Sequence, residues 1–168
     1  MTVTDVGRFI GGVAALIYDS ERAQYLVLKR SPEKDYGANS WECVTGRVDQ
    51  GEGFEEALYR EVREEVGLEV KVSFIIGTTH FYRGEKRPEN ELIGVVFCCE
   101  PVGETAVHMS QEHSEYRWVT LEDIQTLHQS TNHTEQWLFR VMMRAEQLRM
   151  LLPDEIVIFQ QGHSFELG

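Results

Sequence analysis

Short β-rich runs recur along the chain, at Phe9–Tyr18, Tyr25–Lys29, Trp41–Thr45, Val70–Phe81, Leu92–Cys99, Tyr116–Val119 and Ile156–Phe159. Each is bounded by polar or turn-forming residues, as strands are. Ser31–Ser40 and Arg83–Asn90 carry Pro32, Gly37, Gly84 and Pro88 and read as loops. Two stretches show helical period instead. In Phe54–Val66 the residues Leu58, Val62 and Val66 recur every four positions, and Gly67 follows as a C-terminal stop. Trp137, Val141, Ala145 and Leu148 form a second apolar stripe, with Asn132 and Glu135 as a capping pair and Pro153 just past its end. A shorter helix is predicted from Thr120, with Asp123 three residues on. Helices interspersed irregularly among strands predict an α/β fold, an α/β/α sandwich around a mixed rather than a doubly wound parallel sheet.

No repeat or linker divides the 168 residues, a length that suits one domain. The first apolar run, Phe9–Tyr18, is too short to span a bilayer and is flanked by Asp5 and Asp19, so a membrane anchor or signal peptide is not expected. Cys43, Cys98 and Cys99 cannot build a disulfide framework and read as buried thiols in a reducing compartment, the cytoplasm. The charge balance changes the picture more. Sixteen Lys and Arg against 28 Asp and Glu give a net charge of −12, which disfavours nucleic acid and membrane partners that bind through basic surfaces.

The densest chemistry lies in Arg60-Glu61-Val62-Arg63-Glu64-Glu65. On a helix, Glu61, Glu64 and Glu65 share one face at relative angles of about 0°, −60° and +40°. The stripe Leu58, Val62, Val66 lies about 100° round the same cylinder, free to dock on the sheet. Three neighbouring carboxylates repel one another, and hard divalent cations such as Mg²⁺ or Mn²⁺ relieve that repulsion with oxygen ligands. A solvated surface helix with the i,i+4 pair Arg60–Glu64 is the competing reading of these six residues. The wider spacing decides between them: Gly46, five residues, Glu52, seven residues, then Arg60-Glu61-Val62, Glu64-Glu65, Gly67 and Leu68.

That spacing resembles a complete Nudix box, with every specified position filled from Gly46 to Leu68. The flanking segments Leu26-Val27-Leu28-Lys29-Arg30 and Glu112-His113-Ser114-Glu115-Tyr116-Arg117-Trp118 extend the likeness. The resemblance implies a MutT-like, Nudix-type α/β/α sandwich that hydrolyses a nucleoside diphosphate linked to another group, using Mg²⁺ or Mn²⁺. It implies Glu61, Glu64 and Glu65 as metal ligands with the Gly46 carbonyl, and Glu52 and Arg60 as their support. Glu112, ahead of Glu115, is the further metal ligand outside the box, and Glu64 is the provisional general base. His113 is expected to be structural or solvent-facing. Trp41-Glu42-Cys43-Val44-Thr45-Gly46-Arg47-Val48 is similar to the bacterial dihydroneopterin triphosphate pyrophosphatases, which also accept nucleoside triphosphates. On that likeness Arg8, Arg30, Thr45 and Ser130 are substrate contacts, and Trp41 and Phe81 are candidate stacking platforms.

Other readings stay open at this level. Gly84, Pro88 and Tyr82 fit poorly the secondary signatures of ADP-ribose and dinucleoside-polyphosphate hydrolases. A non-catalytic sensor would be expected to lose box glutamates, and none is lost. An isoprenoid diphosphate isomerase would need a reactive cysteine, for which Cys43 is the candidate. RNA decapping sits badly with the net charge. A homodimer fits family habit, with the Ile156–Phe159 strand available for pairing.

Overall fold

The computed structural model describes residues 7–126 and 131–168. Seven strands form one mixed sheet: β1 (Ile10–Asp19), β2 (Gln24–Arg30), β3 (Trp41–Glu42), β4 (Val44–Arg47), β5 (Val70–Tyr82), β6 (Glu91–Pro101) and β7 (His113–Val119). The path runs β3-β2-β1-β6-β5, with β4 on β1 and β7 on β2. Only β1 and β6 pair in parallel; the other pairings are antiparallel. The helices are α1 (Phe54–Val66), α2 (Leu121–Ile124), α3 (His133–Leu151) and α4 (Asp154–Gln161).

Side-chain alternation along β1 builds the layers. Val13, Ala15 and Ile17 face one side and join Leu58, Val62 and Val66 of α1. Ala14, Leu16 and Tyr18 face the other and join Leu138, Val141, Met142 and Ala145 of α3. A strand covered on both faces reads as a continuous apolar run rather than an alternating one, as Phe9–Tyr18 does. α1 occupies the predicted limits, and Gly67 closes it in the left-handed region at φ 68°, donating its N–H to the Arg63 carbonyl. Asn132 caps α3, its Oδ1 accepting from the N–H of Thr134 and of Glu135, and Thr120 with Asp123 forms a full capping box on α2. Among the described residues no helix is long and apolar enough to cross a membrane.

Two expectations change. The single strand expected over Trp41–Thr45 is two strands, because the run switches partner at Cys43, β3 pairing with β2 and β4 with β1. The strand expected over Ile156–Phe159 is helical and forms part of α4. Its branched residues favour a strand, but Pro153 at the N-cap with Asp154 and Glu155 in the first turn starts a helix. Val157 then meets the core, while Ile158 and Phe159 face outward. Strand pairing through this segment, the route to a dimer raised by its composition, is therefore absent.

Docking of α1 is the packing step that serves the site. Leu58→Ala is expected to cost about 2–5 kcal/mol in denaturant unfolding. A cost under about 1 kcal/mol would mean that this helix is not seated on the sheet as described.

Candidate active site

A cleft of about 550 Å³ lies where β1, β4, β5, α1 and α3 come together. Its lining carries Glu42, Asp49, Glu61, Glu65 and Glu112 together with Arg30, Lys34, Arg47, Arg83 and Arg140. In a chain of net charge −12 the cleft thus gathers basic groups beside its acids, where a small anion can reach them.

Glu65 stands among these acids. It is buried, and its Oε2 has no hydrogen-bond partner. Burial, followed by the charges of Glu42, Glu61 and Glu112, pushes its carboxyl well above the usual carboxylate range, against one lowering contact from the Thr45 N–H. The neighbouring carboxylates are each held by a cation of the protein. Arg60 Nη1 donates to Glu61 Oε1 at 2.8 Å, and the Arg47 N–H donates to the same oxygen at 3.3 Å. Lys34 Nζ pairs with Glu112 at 2.5 Å and holds that carboxyl below its ordinary value. Arg30 Nη1 donates to both oxygens of Glu42, at 2.7 and 2.9 Å.

Arg60 organises the box. Its Nε and Nη2 grip the two Glu52 oxygens at 2.7 and 2.8 Å, a bidentate fork that holds the Glu52 carboxyl down to about 2. Nη2 also donates to the Arg47 carbonyl at 2.9 Å, tying α1 to β4. Gly46 sits directly under Glu61, where a Cβ would overlap the carboxylate. The glycine therefore lets β4 pass close beneath the helix.

Among the described residues no three His, Cys, Asp or Glu side chains converge as they stand on a point that could hold a metal ion. The donor set nevertheless fits a hard divalent cation. It consists of carboxylate oxygens with a backbone carbonyl nearby, and one buried oxygen lacks a partner.

Of the site residues read from the sequence, the cleft brings together Gly46, Glu61, Glu65, Glu112, Arg30 and Thr45. Glu64 lies outside its lining; its side chain is 61% exposed and paired with Arg60 at 3.3 Å. Glu52 stands behind Arg60 rather than in the cleft. Arg8 is exposed just before β1 and does not line the cleft, and Ser130 lies outside the described residues. Glu115 pairs with Arg117 and is likewise outside the lining. Phe81 lines the cleft, whereas Trp41 does not, lying between the cations of Lys29 and Arg117.

Sequence reasoning missed Glu42, Arg83 and Trp137. Glu42 is buried, accepting from Arg30, from His113 Nε2 at 3.0 Å and from the Thr45 hydroxyl at 3.3 Å. An acidic residue between Trp41 and Cys43 in an apolar strand was its signal, since a buried charge demands partners. Those bonds make His113 structural rather than solvent-facing. Arg83 makes no ion pair with the described residues, and burial with the charges of Arg47 and Arg30 lowers its pKa. Trp137 was read only as part of an apolar stripe. Cys43 is fully buried, and burial followed by the Glu42 charge pushes its thiol up, so it offers no thiolate for isomerase chemistry.

The NUDIX domain family matches residues 8–141. The nucleoside triphosphatase NudI of Escherichia coli O139:H28 is 30% identical over 107 residues, covering 60% of this chain and 75% of that protein. Among solved structures, the MutT protein of Methanosarcina mazei Go1 superposes with a TM-score of 0.67 at 28% identity, over 86% of this chain and 98% of that one. The E. coli dihydroneopterin triphosphate pyrophosphohydrolase shares the fold, with a TM-score of 0.55 at 23% identity over 78% of this chain and 97% of that one.

The crowding around Glu65 has a measurable consequence in metal-free protein. Its folded-state pKa is raised above the unfolded value of about 4.3. Between those two values the folded protein holds a proton that the unfolded chain has released, so stability falls as pH rises through that window. Thermal melts in EDTA should show this fall for the wild type. Glu65→Gln, which has no proton to lose, should remove it and melt higher at pH 8. A Glu65→Gln variant that melts lower at every pH would contradict the electrostatics described here.

Proposed function

Because the chain belongs to the Nudix family, we propose that this pyrophosphohydrolase is a Mg²⁺- or Mn²⁺-dependent enzyme of the nucleoside triphosphate or dihydroneopterin triphosphate class. The observation that carries the reading is the partnerless buried oxygen of Glu65, set among the charges of Glu42, Glu61 and Glu112 in a cleft that also holds arginines. The likeness to a protein named as a nucleoside triphosphatase supports the choice of a triphosphate.

Glu65, Glu61, Glu112 and the Gly46 carbonyl would hold the metal. A divalent ion held there would supply neutralisation of phosphate charge and a more acidic water. The protein's own residues do the rest. Glu52 fixes Arg60, and Arg60 fixes the plane of Glu61. Arg83 and Arg47 offer guanidinium donors to phosphate oxygens, which Arg30, already committed to Glu42, reinforces from behind with Thr45. Phe81 and Trp137 line the same cleft and suit the flat face of a base or pterin. Glu64, exposed one residue before Glu65 and paired with Arg60 at 3.3 Å, is the carboxylate proposed to accept the proton from water. In this reading the water oxygen bonds to the α-phosphorus, its proton passes to the carboxylate, and the bond to the α–β bridging oxygen breaks, so that oxygen leaves with pyrophosphate.

The test is a hydrolysis screen with product identification, with and without Mg²⁺, over nucleoside triphosphates, dihydroneopterin triphosphate, ADP-ribose and diadenosine polyphosphates. Turnover of a triphosphate that releases pyrophosphate and stops in EDTA is expected; turnover confined to ADP-ribose or to dinucleotides would overturn the substrate class. Glu65→Gln should lower kcat about 100-fold or more while the protein stays folded. Arg83→Ala should instead raise KM about tenfold with kcat little changed, as loss of a charge-assisted hydrogen bond to a bound phosphate predicts.

A further inference from the structure

The helix that carries Arg60, Glu61 and Glu65 begins without a cap of its own. Gly53 at the N-cap has no side chain to accept from the open N–H groups of the first turn. The missing acceptor arrives from 112 residues further along the chain, where Glu166 Oε1 accepts the Phe54 N–H at 2.5 Å. The exchange is reciprocal. Glu55, buried in that first turn, accepts on Oε2 from the N–H of Phe165 at 2.8 Å and of Glu166 at 3.4 Å, and from the Ser164 hydroxyl. Two carboxylates, one from each segment, thus satisfy each other's backbone. This is the logic of a capping box, divided between distant parts of the chain.

The C-terminal segment 161–166, a strap across the start of α1, is anchored at further points. Phe165 enters the core beneath α1 and meets Phe97 edge-on, with centroids 6.0 Å apart. At the other end, Gln161 Nε2 donates to Ser73 at 3.0 Å and to Glu100 at 3.2 Å. Gly53 is suited to its position for a second reason: a Cβ there would overlap the Glu166 carboxylate. The carboxylate also lies at the positive end of the α1 dipole, where negative charge is favoured.

Phe54 is two residues from Glu52, and Glu52 grips the Arg60 that orients Glu61. We propose that Glu166 and Glu55 are positioning residues: they fix the first turn of α1 and, through the Glu52–Arg60 fork, set the aim of the cleft carboxylates. This rests on Glu61 and Glu65 holding the metal, as proposed above. None of the partners named for this segment lines the cleft, so the effect argued for runs through the helix.

Hydrogen exchange on metal-free protein and calorimetric titration with Mg²⁺ test the two halves separately, using wild type, Glu166→Ala and Glu166→Gln. In Glu166→Ala the Phe54 amide should exchange about fivefold faster, the effect of losing a helix cap, and Mg²⁺ affinity should fall by a similar factor. Glu166→Gln should restore both, because its amide oxygen still accepts from Phe54. A strap that served stability alone would change the melting temperature and leave Mg²⁺ affinity at the wild-type value; that result, or unchanged exchange at Phe54, overturns the proposal. Wild-type protein that binds no Mg²⁺ would overturn the metal-site reading itself, and the exchange data would still report on the cap.

Discussion

Carboxylates crowd the lining of one cleft, and among them the buried Glu65 is the least compensated. Buried charge is tolerated in proteins only when it is paired, hydrogen-bonded or neutralised. Here Glu42 has Arg30 and His113, Glu61 has Arg60, and Glu112 has Lys34, whereas one Glu65 oxygen has nothing. Much of the surrounding structure can be understood as the means of keeping that arrangement folded. Apolar packing of Leu58, Val62 and Val66 seats the helix, and the Arg60 fork prevents Glu61 from swinging into solvent. An exposed array of the same charges would relax; a seated one retains its demand for a cation.

The topology brings cations to this demand. Arg47 at the end of β4 pairs with Gly12 of β1, while Leu92 of β6 lies between Ile10 of β1 and Phe81 of β5, so Arg47, Phe81 and Arg83 just past β5 line the same cleft. A substrate that is anionic at one end and flat at the other finds both features within one cleft. The overall charge of −12 governs long-range encounter, while the cleft's own lining governs binding. Phosphate binding by an acidic protein is therefore no contradiction.

Local signals carried most of the fold. The four-residue period of Leu58, Val62 and Val66 and the stop at Gly67 delimit α1, and Asn132 announces α3. Ile156–Phe159 misled because four apolar, mostly branched residues look like a strand, while the deciding features were Pro153 and the two acids after it. The box residues could be found because one short stretch, from Gly46 on β4 through α1 to Leu68, carries them all. Glu42, Arg83 and Trp137 belong to the same cleft, yet they lie on three separate elements and are brought together only by sheet order. The distinction between Glu65 and Glu64 was equally hidden. Adjacent in sequence, they fall on opposite sides of the helix's burial boundary, one buried and one 61% exposed.

The most direct measurement is anomalous diffraction from crystals soaked in Mn²⁺. The account predicts a peak bound by Glu65, at about 2.0–2.3 Å from a carboxylate oxygen, with Glu61 joining it while still held by Arg60. A crystal in which Mn²⁺ binds elsewhere, or in which Glu65 stays partnerless at saturating metal, would contradict it.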